Sequence, residues 1–386
     1  MTGRLEGSVS MEPIATAFWN LQNLFDTTAS EIAADLEFTP ADGWTEEALA
    51  AKIDALAEVV ATMFGGRGPD LFGICEIETR PVLERFVAAL NARLGRTDLT
   101  FAHDDSPDLR GIDCSLIYSS EIFEPFGDPV GHPVFLRFNT RDIFEVPLRL
   151  RATGAELTVF VNHWPSRGTP NSDPYRVAVA AHLARRVDNV LKLSRPAVLA
   201  ANGLVDIAPE LDRRWNRNVL IMGDLNDDPF NRSVMDELGA TNSLDKLEEE
   251  LPSPRGEPGS IDAAGRIRRS DIETYLRREP ALYNLSWGPL GTPGEGTIFF
   301  SRDTNRTKQM FDQMIVSRGL LLGRQGLRMD TADFAIHTPR ILWTNSRLPD
   351  DAPRHQVRPR AFDRENFRGA SDHFPVTGLI HPVPVA

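Results

Sequence analysis

Three observations predict an α/β fold. Short strand-like runs of Val, Ile, Leu and Phe alternate with amphipathic helical stretches along the chain. No internal repeat or low-complexity tract breaks that alternation. Of 386 residues, 41% are hydrophobic and 25% charged, the balance of a globular protein and not of a disordered tail.

The elements follow in order. Ile14–Trp19 is the first strand. Thr45 then reads as an N-cap, with Glu46 and Glu47 placed to complement the helix dipole. Behind it Leu49, Ile53, Leu56, Val60 and Phe64 recur at helical spacing. Leu71–Cys75 is the second strand. A second helix has Pro81 near its first turn, an apolar stripe of Leu83, Phe86, Val87, Leu90 and Leu94, and Gly95 to close it. Cys114–Tyr118 and Leu157–Val161 are strands. Ser172-Asp173-Pro174 opens a third helix, with Val177, Ala181, Ala184, Val187 and Leu191 expected to face inward. Val219–Met222, Met314–Ser317 and Pro375–Ile380 complete the strands. Prolines and glycines mark 251–296 as long loops, and 338–369 is similar with several arginines. Both are expected to be insertions rimming a site on a single domain spanning 1–386.

Composition narrows the function. With 42 Lys+Arg against 55 Asp+Glu, the net charge of −13 argues against coating nucleic acid by charge alone. It does not exclude an enzyme that meets phosphate through a metal ion. Cys75 and Cys114 are the only cysteines and neither has a CxxC partner, so a disulfide scaffold or zinc ribbon is excluded. Both are expected to be buried, inert thiols. No apolar run reaches the roughly 20 residues of a membrane span. The N-terminus lacks a basic-then-apolar leader pattern, which predicts a cytoplasmic protein. Nothing in the sequence speaks to assembly, so a monomer is the default.

Five polar clusters sit at strand ends: Trp19–Asn23, Cys75-Glu76, Asn162–Arg167, Gly223–Asp227 and, leading into the last strand, Ser371-Asp372-His373. Strand ends along one sheet edge are neighbours in space, and α/β proteins build sites there. Each cluster alone has the composition of a turn. Together they hold carboxylates, amides and two histidines, the set needed for metal-assisted attack of water on phosphorus. A hard cation takes carboxylate and amide oxygens, the water needs a base, the leaving oxygen an acid, and the phosphoryl charge needs donors.

The stretches WNLQNLFD (Trp19–Asp26), ICEIE (Ile74–Glu78), VNHWPSR (Val161–Arg167), IMGDLNDDP (Ile221–Pro229), FDQMIVS (Phe311–Ser317) and SDHFPV (Ser371–Val376) resemble, in order, those of the endonuclease/exonuclease/phosphatase superfamily with the DNase I-like fold. Glu37–Pro40 and Ser106–Asp113 resemble a bacterial branch of it. The resemblance implies a four-layer sandwich of two packed β-sheets flanked by helices. It implies metal binding by Asn20 and Glu76, with Asp372 as a further candidate, and orientation or deprotonation of the attacking water by Asp224 and Asn226. His373 matches the catalytic histidine and Asp312 the aspartate that orients it. His163 matches a second histidine that binds phosphate or assists the leaving group. Which group is base and which acid stays open. Gln22 stands where nucleic-acid-repair members carry Asp, which speaks against a second metal there. Arg110, Ser166 and Arg167 are candidates for substrate phosphate, because guanidinium forks suit phosphate oxygens. Asp113 is read either as a partner for His163 or as a surface turn.

The implied activity is Mg²⁺-dependent hydrolysis of a phosphate ester, foremost as a phosphodiesterase or nuclease, with Mn²⁺ or Ca²⁺ as alternative ions. The alternative substrate is a small molecule or lipid headgroup, such as an inositol phosphate, a nucleotide or a sphingomyelin-like ester. A non-catalytic binding module of the same fold is the third reading, and the full set of site residues speaks against it. His103, His132, His182, His337, His355 and His381 have no partner at ligand spacing and are read as structural. Trp44, Trp215, Trp287 and Trp343 are read as packing residues.

Overall fold

In the computed structural model, residues 11–28, 37–168, 170–201, 207–248, 269–299, 307–385 are described. Two mixed sheets pack face to face. In the first the order is Leu327–Met329, Val376–Pro382, Ile14–Leu24, Leu71–Ile77, Asp113–Ser119, Leu99–His103, with Ala335–Ile336 also on Val376–Pro382. In the second it is Ala240–Thr241, Leu282–Asn284, Asp312–Ser317, Asn218–Asp224, Glu156–His163, Ile143–Leu150, Phe123–Pro125, with Val130–His132 also on Ile143–Leu150. Each sheet is centred on a parallel pair, Ile14–Leu24 with Leu71–Ile77 and Glu156–His163 with Asn218–Asp224. These central strands are buried on both faces, which explains their nearly unbroken apolar runs.

Strand alternation sorts the side chains into three cores. Phe18 points between the sheets with Val159, Leu220, Met222, Met314 and Val376. Its neighbours Ala17 and Trp19 point outward, against helices Glu46–Val60 and Arg80–Leu94. On the far side Phe160, Ile221 and Ile315 pack under helix Asp173–Leu191. The result is the four-layer sandwich. Thr45 caps its helix by accepting from Ala48 N, and Gly95 ends the next one in the left-handed conformation at φ 65°. Thr79, not foreseen, caps the start of that second helix.

Three expectations need correction. Helix Glu46–Val60 stops before Phe64, whose φ of 50° is non-helical. The buried face of helix Asp173–Leu191 is Arg176, Val179, Ala180, Leu183, Val187 and Leu191, so Val177, Ala181 and Ala184 lie to its side. A buried arginine displaces the apolar stripe: Arg176 pairs with Asp227 and Asp173 and donates to the Pro165 carbonyl. Part of 251–296 falls outside the described residues, and the rest is not simply loop. It contains helix Arg269–Arg277 and strand Leu282–Asn284, which extends the second sheet beside Asp312–Ser317. The stretch 338–369 is short 3-10 turns and irregular chain.

Gly223 lies where the two central strands of the second sheet come closest. A Cβ there would stand 2.4 Å from the Asn162 carbonyl oxygen and 2.7 Å from the Asn162 Cβ. Gly223→Ala is therefore expected to push these strands apart and cost roughly 1–3 kcal/mol, read as a lower Tm and denaturant midpoint.

Candidate active site

Several residues of the polar motifs lie within the strands, which run further than hydropathy alone suggests. Asn20 and Asn23 belong to Ile14–Leu24, Glu76 to Leu71–Ile77, His163 to Glu156–His163 and Asp224 to Asn218–Asp224. Asp312 begins its strand and pairs directly with Asp224. Both sheets thus deliver polar ends to one edge of the sandwich.

Local strain turns these side chains inward. Gln22, Asn23, Glu76 and Asn226 have φ of 54°, 56°, 65° and 50°, four of the seven non-glycine residues with positive φ among those described. Such backbone costs about 1–3 kcal/mol per residue and persists where surrounding contacts over-determine it. At Glu76 it coincides with a register shift between Cys75 and Ile77 that re-aims the carboxylate.

Asp224 is the hub. Its Oδ2 accepts from Asn20 Nδ2 at 3.0 Å and lies 3.7 Å from His163 Nε2 and 3.8 Å from His373 Nε2. Its Oδ1 accepts from Asn226 N at 2.9 Å. Glu76 is held by Asn20 Nδ2 at 3.3 Å and Asn23 N at 2.8 Å, with His163 Nε2 at 3.7 Å. His373 Nδ1 lies 2.7 Å from Asp312 Oδ2. The Ser371 hydroxyl donates to the Asn20 carbonyl and accepts from His373 N, and Trp19 Nε1 donates to the His373 carbonyl. These bonds lock the Ser-Asp-His segment to the first strand.

The two histidines are driven in opposite directions. Burial alone would lower the His373 imidazolium, but the carboxylates of Asp312 and Asp224 outweigh it and hold it well above its ordinary value. Burial, with Arg141, Arg110 and His373 adding to it, keeps His163 well below. At neutral pH the former is a cation and the latter neutral. Burial pushes the Asp224 carboxyl up to about 7 and also raises Asp372.

Two residues of the site had no signal in hydropathy or motif. Lys52, fully buried on helix Glu46–Val60, donates to the Ala370 carbonyl and lies 5.2 Å from the Phe362 ring centre. Burial pushes it down to about 7 against the pull of Asp372 and Glu76. Arg141 grips the backbone behind His163. Only their tertiary partners distinguish them from surface cations.

Other candidates fall elsewhere. Arg110 Nη2 reaches Asn23 Oδ1 at 2.6 Å, at the exposed side of the site. Arg167 is already engaged: it pairs with Asp227 and Asp228, donates to Asn231 and the Asn226 carbonyl, and lies 4.6 Å from the Phe311 ring centre. These contacts tie it to the Asn226 loop. Ser166 accepts from Gly168 N. Gln22 accepts from Phe362 N, tying the site to the late loop. Asp113 neither pairs with His163 nor forms a surface turn: it is buried, accepts from Ser106 N, and burial raises it to about 7. The histidines read as partnerless mostly gain partners through the fold, His103 with Ser115 and Asp105, His132 with Glu145, His337 with Thr62 and His381 with Asp333. Cys75 and Cys114 are buried opposite each other, and burial raises both thiols.

The pattern of the Endonuclease/Exonuclease/phosphatase family matches residues 15–252, more than half of the chain. The chain belongs to this family. It is accordingly a phosphoric ester hydrolase of a class generally dependent on divalent metal ions. Among solved structures, an endonuclease/exonuclease/phosphatase family protein from Bacteroides thetaiotaomicron shares 13% identity at a TM-score of 0.50, covering 97% of this chain and 100% of that one. That likeness shows the fold. A mannosyl-6-phosphatase from the same organism follows at 13% identity and TM-score 0.48, covering 95% and 99%. Truncated TDP2 from Caenorhabditis elegans follows at 12% and 0.47, covering 96% and 98%. No curated protein matches the sequence. No helix among the described residues is long and apolar enough to cross a membrane.

The residues fit a hard divalent ion. Asp224, Asp312 and His373 bring carboxylate and ring atoms within 4.8 Å of one another, and Asp312 Oδ1 is buried without a hydrogen-bond partner; with His373 held protonated, the carboxylate oxygens and not its ring are the ligands on offer. Glu76 adds carboxylate oxygens beside them, while Asn20 turns its Nδ2 to Glu76 and Asp224 and accepts from Gln22 N with its Oδ1. Buried carboxylates this closely set, with His373 and Lys52 as the buried cations named beside them, are what a bound cation would relieve.

Proposed function

We propose that the chain is a Mg²⁺-dependent phosphodiesterase, with Glu76, Asn20 and Asp372 holding the ion. The observation that carries this reading is the convergence on Asp224 Oδ2 of Asn20, His163 and His373 within 3.0–3.8 Å. The ion, when bound, supplies Lewis-acid stabilisation of the phosphoryl oxygens. Asp224, with a carboxyl poised at about 7, takes the proton of the attacking water, and Asn226, braced by its bond to the Trp164 carbonyl, orients that water. His373, kept protonated by Asp312, donates to the phosphoryl group as charge grows and gives its proton to the leaving oxygen as the P–O bond breaks. Neutral His163 stands across the site to bind phosphate or assist the leaving oxygen. Groups whose environments push their pKa values apart are suited to opposite proton-transfer roles.

The substrate reading follows from charge. Of the late-loop arginines, Arg340 is spent on Asp350 and on loop carbonyls, Arg354 on Glu295 and Thr338, and Arg364 on the Glu37 carbonyl, while Arg358 lies over Phe299. With much of the basic loop engaged and a net charge of −13, a compact diester is favoured over long duplex DNA. A panel of bis-p-nitrophenyl phosphate, p-nitrophenyl phosphate, inositol phosphates, plasmid, single-stranded DNA and RNA, with Mg²⁺, Mn²⁺, Ca²⁺ and EDTA, tests both parts. The expected result is turnover of the diester over the monoester, lost in EDTA and restored by Mg²⁺, with a shallow salt dependence. EDTA-resistant turnover would sink the metal role. Efficient plasmid cleavage that collapses between low and moderate salt would make the protein a nuclease.

A further inference from the structure

The two site histidines are held by different means. The His373 ring is fixed by a side chain, Asp312 at 2.7 Å. The His163 ring is not: Nε2 stands 3.7 Å from both Glu76 and Asp224, beyond hydrogen-bond reach, and Nδ1 is buried without a partner. Its aim therefore comes from its backbone.

That backbone is gripped by Arg141. Arg141 Nε donates to the His163 carbonyl at 3.2 Å and Nη2 to the Trp164 carbonyl at 3.0 Å. From the opposite side Asn226 Nδ2 reaches the same Trp164 carbonyl at 3.0 Å, and Trp164 N donates to the Asp224 carbonyl at 2.9 Å. The third arm of Arg141, Nη1, pairs with Asp108 Oδ1 at 3.1 Å, and Asp108 Oδ2 accepts from Arg110 N. Arg141 and Asp108 are both buried. A guanidinium turned inward onto two carbonyls and a carboxylate holds protein, not substrate, and its planar fork suits that use in a way an ammonium does not.

We propose that Arg141 is a positioning residue for the hydrolytic reaction: it fixes the His163–Trp164 backbone, aims the His163 ring at Glu76 and Asp224, and ties in the loop that carries Arg110. This rests on the role given to His163 above. The bonds of Arg141 go to His163, Trp164 and Asp108 and not to Glu76, Asn20 or Asp372, so removing it loosens the wall that carries His163 and Trp164.

Four variants test it: R141K, R141M, H163A and H163A/R141M, with bis-p-nitrophenyl phosphate and saturating Mg²⁺. R141M is expected to lower kcat about 10–100-fold, the cost of a misplaced group, with KM changed by less than about threefold. In the H163A background R141M should then change kcat by less than about threefold, because the two act as one unit. Should R141M fail to fold, R141K carries the test through ring signals of ¹⁵N-histidine-labelled protein: those of His163 should shift and those of His373 stay. Equal losses from R141M in both backgrounds, or unmoved His163 signals in R141K, overturn the proposal alone. Wild-type turnover in H163A overturns the His163 role and the proposal with it.

Discussion

Glu76→Ala is expected to lower kcat by about 10³-fold or more while the protein stays folded. The size follows from the kind of interaction removed: a bound cation contributes several kcal/mol of transition-state stabilisation, and about 1.4 kcal/mol is a factor of ten in rate. Glu76 offers two oxygens, one braced by Asn20 and the other by Asn23 N, and its φ of 65° is held against local preference to aim them. Alanine leaves the strand pairing intact and relieves like-charge repulsion with Asp372, so Tm should hold or rise. Calorimetric titration with Mg²⁺ or Mn²⁺ checks the cause separately from the rate. Weakened ion binding together with the rate loss fits the assignment. Near-wild-type turnover would remove Glu76 from it, and a rate loss with unchanged ion affinity would place its effect elsewhere.

The strands that carry this site were legible because each is an apolar run that ends in polar residues, and because six short motifs keep their order. Much of what hydropathy missed is buried charge. Arg141 and Lys52 look like surface cations in sequence, and their partners lie 22 and 318 residues away. Arg176 shifts the buried face of its helix because an arginine occupies an inward position that periodicity reserves for apolar side chains. Arg167 sits in a site motif and reads as a phosphate ligand, and its partners Asp227 and Asp228 come from the next motif along. The short strand Leu282–Asn284 is set among prolines and glycines, and only its pairing with Asp312–Ser317 makes it a strand. Pair partners, not residue types, separate a structural ion pair from a free one.

Asp312→Asn should move the whole pH–rate profile toward acid and lower its maximum. Two groups set the limbs. The Asp224 carboxyl, pushed to about 7 by burial, must be ionised to take the water's proton, so activity rises as pH passes through that value. His373 must stay protonated, so activity falls only as pH passes its raised value. Asp312 raises both, by favouring the imidazolium and by opposing a second negative charge at Asp224. Asparagine keeps the shape and removes the charge, so both groups release their protons at lower pH. The alkaline limb should move further, since Asp312 is the largest support of His373 and burial then acts on it with less opposition. In the variant His373 releases its proton at lower pH and its orientation is no longer fixed by a charged partner, a loss on the order of 10²–10⁴ in kcat. His373→Ala should show a comparable loss and no alkaline limb at all. An alkaline limb that stays in place in Asp312→Asn, or one that survives in His373→Ala, would mean that another group sets it and that the dyad does not carry the proton.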